Sequence, residues 1–513
     1  MTVSPRKARV ACSVSLILLL ANCGGDSTGP ANNKPGIRAV AGAGITDTVD
    51  AAPLQALVVE VRGQDGALAS GVVVRFEPKP ADETQPYYSE PTVRVCPLSA
   101  QNCAAFYGLV TDTTDERGRA KVTVQMGRVL GPGVVRLTVP EFGLADSATY
   151  TITAGAPAAV MVAGGDTTLD IGGTATLSGR VVDRYQNPRT ETTTLSAGPG
   201  SAITLNAATG TVTPREMGTQ WVLVRYNALV DSASVRVVPP GRLLVWSSPE
   251  QAVRLVNING SAERTIVTGV ASDYGAFPQF DPTRQRITLH AGSQSYGGPS
   301  NALIVIDTTG ASRRDIIGFS SIMVTRSLAD GTIMVVGLSS TDNTHPGYSL
   351  WRVATDNTIT FVAALPGFGG SYGGADVSHD GTRVAYLATS SSPSELRLLD
   401  VASGSTTVLD FNANSPRWSA QDDRIVYLST PAGYYNSDGV ATVINTNGSG
   451  RKVLNNFIFS PGMSWSPDGV YVVGRATDYS GFRVVRVSDG AAVSLTFPSG
   501  ASCCHDYYQP DWR

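Results

Sequence analysis

The chain has 513 residues, with 39 Lys and Arg against 42 Asp and Glu and only 16 % charged residues. This near-neutral balance excludes the basic footprint of a nucleic-acid binder, and a hydrophobic fraction of 42 % excludes wholesale disorder. The length implies about three or four domains, and 54 Gly and 30 Pro amid abundant Thr, Ser and Val predict short strands and turns with almost no helix.

Arg6, Lys7 and Arg9 precede an apolar run from Ala11 to Ala21. The run is far shorter than the roughly 20 residues that span a bilayer, so it reads as a secretion signal. It ends in Leu20, Ala21, Asn22 and Cys23, which resembles the bacterial lipobox, with Asn22 where that pattern usually has Gly, Ala or Ser. The resemblance implies a signal peptide over 1–22 and lipid on the Cys23 sulfur. Gly24 and Gly25 after the Cys imply sorting to the outer membrane, facing the periplasm or the surface. The loose tract that follows, to residue 35, suits a flexible tether. No later segment is long and apolar enough to cross a membrane, so contact with the bilayer is expected through the lipid anchor only.

Cys12 leaves with the signal and Cys23 takes lipid, which leaves Cys96, Cys103, Cys503 and Cys504. An even remainder in an exported chain reads as disulfides. Cys96 and Cys103 flank PLSAQN, where a bridge would pin a long insertion. Cys503 and Cys504 are adjacent and could close a vicinal ring, pair with other chains or stay free.

From residue 36 to 155, β-branched runs (LQALVVEVR from Leu54, then Val72–Phe76, Ala120–Gln125 and Val134–Val139) alternate with turn signals, which is a sandwich pattern. The stretch TDERGRAKVTV from Thr114, following LVVEVRGQDGALASGVVVRF, resembles the invasin and intimin type of bacterial immunoglobulin-like domain. The pattern restarts over 156–240 with GGTATLSGRVVD and ITLNAATGTVTP, which resembles a second such domain. The resemblance implies a stalk that spaces a terminal domain from the membrane. Pro239 and Pro240 stiffen the junction.

Residues 241–513 carry an internal repeat: DPTRQRITLHA, LADGTIMVVG, SHDGTRVAYLA, SAQDDRIVYLS and SPDGVYVVGRA. Each is a turn with Asp, Gly or both, followed by an apolar strand, at a spacing of about 40–50 residues that marks propeller blades. With the opening strands LLVWSS and VRLVNINGSA the units number six, and Pro510, Asp511 and Trp512 supply the inner strand that the first blade lacks. The SPDG and SHDG turns and the preceding Trp resemble the TolB-type six-bladed propeller. The fold expected is therefore all-β: two immunoglobulin-like sandwiches, then a six-bladed β-propeller.

The tight Asp and Gly turns occupy one rim of such a disc. The longer loops of the other rim hold Tyr274, Tyr296, Tyr348, Tyr372, Tyr434, Tyr435, Tyr479, Tyr507 and Tyr508, with His505 beside them. Tyr among Ser, Gly and Asn suits an adaptable recognition face, expected here to bind an envelope protein, a peptide or a glycan. Gln279, Met323, Asp376, Arg417, Ser464 and Asp511 fall at the middle of the inner strands, near the central channel, where Asp and Arg are expected to pair. No cofactor or metal is implied. GGSYG over Gly369–Gly373 matches the serine-hydrolase elbow in letters, but it lacks the strand before and helix after that expose the nucleophile. The chain is thus expected not to be an enzyme; the alternative is a carbohydrate-active or peptide-cleaving propeller using loop acids or His505.

Overall fold

The structure, a computed structural model, describes residues 34–52, 55–80, 91–100, 103, 108–247, 250–270, 277–291, 302–370, 373–389, 393–429, 439–476, 481–495 and 507–512. For 455–461 and 507–509 it describes the backbone alone. The described chain is nearly all strand, and one 3-10 turn, Pro140–Phe142, is the helical element. Two compact units divide it: Met1–Pro157 with Val182–Arg189, and Ala158–Val181 with Thr190–Arg513.

The first unit has two sheets. One orders Gly36–Ala41, Leu57–Arg62, Arg119–Met126 and Val93–Cys96; the other orders Thr46–Thr48, Leu144–Thr153, Gly131–Val139, Val73–Pro78 and Val110–Thr113. Period-two alternation sends one face of each strand inward. Ala120, Val122, Val124 and Met126 from the first sheet meet Val135, Leu137, Val139 and Phe76 from the second in one apolar core. The TDERG turn closes on Asp115, whose carboxylate accepts from the N–H groups of Arg117 (2.8 Å) and Arg119 (3.0 Å). Cys96 and Cys103 form a disulfide, the bridge expected from the even count of cysteines in an exported chain.

In the second unit, one sheet orders Thr167–Asp170, Leu229–Val238, Gly218–Tyr226 and Thr194–Ala197, and another orders Ala175–Thr176, Thr211–Pro214 and Ile203–Asn206. This region is packed onto the strands that follow it. Met217 and Val238 join Leu243, Val256, Val473, Phe482 and Trp512 in one cluster, and Asn259 donates to Asp170 at 2.9 Å.

The rest of the second unit is a β-propeller built of antiparallel four-strand meanders. The first sheet orders Arg264–Val267, Ala252–Asn257, Arg242–Ser247 and Tyr507–Trp512, so its inner strand comes from the far end of the chain. Leu243 pairs with Trp512 and Leu244 with Asp511. The next three sheets run in chain order over Gln279–Ile316, Phe319–Ala364 and Ala375–Phe411. A seven-stranded sheet follows, centred on Lys452–Trp465. That strand pairs with Gly439–Asn445 along its first half and with Tyr471–Ala476 along its second.

Strands second from the channel are buried on both faces, because each sheet is packed between two others. Val384–Ala388 and Ile425–Leu428 are inaccessible along their whole runs, and burying each Leu or Ile of this kind contributes about 1.5–3 kcal/mol. Apolar clusters join the first sheet to the second, the second to the third, the third to the fourth, and the fourth to the seven-stranded sheet. A last cluster joins the end of the seven-stranded sheet back to the first, so the ring of sheets closes.

Candidate ligand-binding channel

Five tight turns end the inner strands that follow the chain order, and all five share one geometry. Asp281, Leu328, Ser378, Ser419 and Ser466 each offer the carbonyl that the residue three places on donates to. That third residue, Arg284, Gly331, Gly381, Asp422 or Gly469, has a positive φ between 53° and 83°. Hydroxyls and carboxylates fasten the turns: Ser378 Oγ accepts from the Arg383 N–H (2.9 Å) and Ser466 Oγ from the Tyr471 N–H (2.8 Å), and Asp281 accepts from the N–H groups of Gln285 and Arg286.

Two places before each turn a side chain enters the channel: Gln279, Arg326, Asp376, Arg417 and Ser464. Asp511 on the closing strand completes the ring. All six line one cavity of about 430 Å³, which is bounded also by turn residues such as Asp281, Ala329, His379 and Pro467. It therefore lies along the inner strands toward the tight-turn rim. Met323, expected here, is instead buried in the apolar cluster between the third and fourth sheets. The strand Phe319–Ser327 has two bulges, one between Ile322 and Val324, so the position that faces the channel falls three residues later, at Arg326. Counting back from the turn, rather than along the apolar run, finds it.

Much of the ring is occupied in holding sheets together. Asp511 accepts from the Phe280 N–H (2.8 Å), Asp376 from the Trp418 N–H (2.9 Å), and Ser464 Oγ from the Trp512 N–H (3.2 Å). In each case a side chain binds the backbone of the next sheet, one residue past the ring position. Arg326 does the converse, donating to the Val377 carbonyl (3.1 Å), and it also pairs with Asp376 at 2.8 Å. Burial works against the Arg326 charge, but Asp376, Asp511 and Asp422 outweigh it and hold its pKa above the usual value.

Arg417 differs. Its Nη1 donates to the carbonyls of Gly373, Ala375 and Pro416, its guanidinium lies over the Phe277 ring at 5.9 Å, and no carboxylate is paired with it among the described residues. Burial lowers its pKa, the attraction of Asp376 and Asp511 being too small to restore it against repulsion from Arg326. Gln279 Oε1 is buried without a hydrogen-bond partner. Burial also pushes the Asp511 carboxyl up, against the N–H of Phe280 and the charge of Arg326. Mutual pairing of Asp and Arg is thus present, but between Asp376 and Arg326, and it leaves Arg417 out.

His379 bridges two turns: its Nδ1 is 2.8 Å from Asp422 and its Nε2 is 3.4 Å from Arg326 Nη1. With the proton on Nδ1 both contacts are satisfied. Among the described residues no group of His, Cys, Asp or Glu is arranged to hold a metal ion.

Of the tyrosines expected on the long-loop rim, Tyr348 is described in full. It is half-buried, packed edge-on against Phe368 with ring centroids 5.5 Å apart, and its hydroxyl donates to Ser321 (3.3 Å). Tyr507 and Tyr508 belong to the closing strand, paired with Ser247 and Trp246. Tyr274, Tyr296, Tyr372, Tyr434, Tyr435, Tyr479 and His505 lie outside the described residues, as do Cys23, Cys503 and Cys504.

No family model matches the chain, and no curated protein matches it. Among solved structures, TolB from Acinetobacter baumannii is 14 % identical over 60 % of this chain and 81 % of its own, with a TM-score of 0.41. A nidogen/laminin complex is 10 % identical over 53 % and 97 %, also at 0.41. A DUF4784 family protein from Bacteroides caccae is 11 % identical over 69 % and 99 %, at 0.36. Scores this low add nothing to what the sheet order and the closing strand establish.

Proposed function

We propose that the chain is a lipid-anchored protein of the cell envelope that presents a binding propeller on a stalk of two immunoglobulin-like sandwiches, and that it acts by recognition rather than by catalysis. In this reading a signal peptide over 1–22, lipid on Cys23 and a tether to residue 35 hold it at the outer membrane; the basic stub, the apolar run and the Cys that ends it support this. The sandwiches span 36–155 and 156–240, and the propeller spans 241–513. Dividing the seven-stranded sheet at the middle of Lys452–Trp465 gives the propeller six blades, each of four strands. The ligand is an envelope protein, a peptide or a glycan.

The observation that carries this reading is the cavity on the propeller axis. The walls between sheets are packed shut with apolar side chains, whereas the axis keeps about 430 Å³ open behind a lining that includes a buried Arg without a carboxylate. The tyrosines expected on the long loops are the second element of the proposal, as the surface for a macromolecule.

The whole protein, immobilised, is incubated with solubilised envelope, and what it retains is identified by mass spectrometry. Expected is a defined component whose retention falls at least tenfold when Tyr372 and Tyr435 are replaced by Ala. Retention unchanged in that variant would remove the rim from the proposal, and turnover of polysaccharides or peptides by the purified protein would contradict a binding role. Cys23→Ser is expected to move the protein from the membrane to the soluble fraction.

A further inference from the structure

We propose that the propeller channel binds a free α-amino acid, with the carboxylate on Arg417 and the ammonium group at Gln279 Oε1 and the Asp511 carboxyl. This rests on reading the propeller as a binding element, and it assigns the axis a small ligand distinct from whatever the long-loop rim holds.

Six side chains share the ring position, and their partners separate them into two sets. Asp376, Ser464 and Asp511 each accept a backbone N–H from the next sheet, and Arg326 is neutralised by Asp376. Arg417, held by backbone carbonyls, has no carboxylate, and Gln279 Oε1 has no partner. Arg417, 7 % exposed, meets carbonyl oxygens but no carboxylate, and burial without a counter-ion disfavours its charge. Gln279, 8 % exposed, buries an acceptor without a donor, which is unfavourable until a donor reaches it.

Both costs fall on residues that line the same cavity, and together they specify the missing group. Arg417 calls for an anion that accepts from a planar donor, which is a carboxylate. Gln279 Oε1 calls for a donor, and the Asp511 carboxyl, with Oδ2 engaged by Phe280, adds a further oxygen acceptor on that side. An α-amino acid carries carboxylate and ammonium on one carbon. A simple carboxylate would leave Gln279 unmet, and a simple amine would leave Arg417 unmet. Phe277, Trp418 and Trp465 supply apolar wall for a side chain, and the volume is within the range of about 300–1,000 Å³ typical of small-molecule sites.

The test is a calorimetric titration of the whole protein with each proteinogenic α-amino acid, with acetate, ethylamine and glucuronate alongside. Saturable binding of at least one amino acid is expected, with acetate and ethylamine at least tenfold weaker. Arg417→Gln and Gln279→Leu are each expected to weaken it about tenfold or more, with melting temperatures close to that of the parent. If Arg417→Gln fails to fold, Gln279→Leu, which leaves every charge in place, carries the test. No binding by any amino acid, equal affinity in the variants, or glucuronate matching the best amino acid would overturn the assignment. Envelope capture that persists without amino-acid binding would remove this site alone and leave the proposed function standing.

Discussion

The tight turns and the ring positions two residues before them adjoin in sequence, yet they differ in how the protein uses them. The turns repeat: the same carbonyl closes each, the same place takes a positive φ, and a Ser or Asp fastens several from within. The ring does not repeat: Gln279, Arg326, Asp376, Arg417, Ser464 and Asp511 mix two bases, two acids and two neutral groups. Backbone geometry imposed by packing tolerates little variation, so the turns converge. The ring faces open space, where the side chain is free to differ; Asp376, Ser464, Asp511 and Arg326 bind the backbone of the next sheet, whereas Arg417 meets backbone carbonyls but no carboxylate and Gln279 Oε1 has no partner. Scaffold residues should therefore govern stability, and Arg417 and Gln279 should govern binding.

The largest effect is expected from ending the chain at residue 506. This removes the inner strand of the first sheet along with Trp512, whose truncation to Ala alone costs about 3–5 kcal/mol. Loss of cooperative unfolding of the propeller, followed by denaturant titration, is the expected result. Asp376→Ala comes next. It strands the buried Arg326 guanidinium, at a cost of about 3–5 kcal/mol, read from the urea midpoint.

His290 lies in the wall of the second sheet, buried, with Nδ1 unpartnered, stacked on Phe277 at 5.3 Å. Burial lowers its pKa from 6.5 to about 4. The folded state refuses a proton that the unfolded chain accepts, so stability present above pH 6.5 is lost as pH falls toward 4. The loss is about 3 kcal/mol, and His290→Leu should flatten it in urea melts across that range. The smallest effect is expected from Arg284→Gly. Arg284 takes φ +59° where Gly331, Gly381 and Gly469 stand in the other turns, and relieving that conformation should add up to about 1 kcal/mol, visible as a small rise in melting temperature.

The repeat made most of this architecture legible. Its turns carry the Asp, Gly and Ser that their geometry needs, and the lone Pro510–Trp512 segment had one open edge to fill. Asp376, Arg417, Ser464, Gln279 and Asp511 were found at the ring by position within short inner strands. Arg326 was not, because the bulges in Phe319–Ser327 leave no mark in the letters and the apolar run of Ile322–Val324 looks like the strand's centre. Nor did composition reveal which charges would pair. Arg326 and Asp376 belong to neighbouring sheets, a relation set by the ring and not by sequence spacing. The link from His379 to Asp422 joins adjacent turns in the same way.

The division between scaffold and site is tested most directly by measuring stability and amino-acid affinity together in Arg417→Gln. Removing a buried charge without a carboxylate should leave the urea midpoint unchanged or raise it, while affinity falls about tenfold or more. A large loss of stability with affinity intact would show that Arg417 belongs to the scaffold, and would contradict a binding role for the channel.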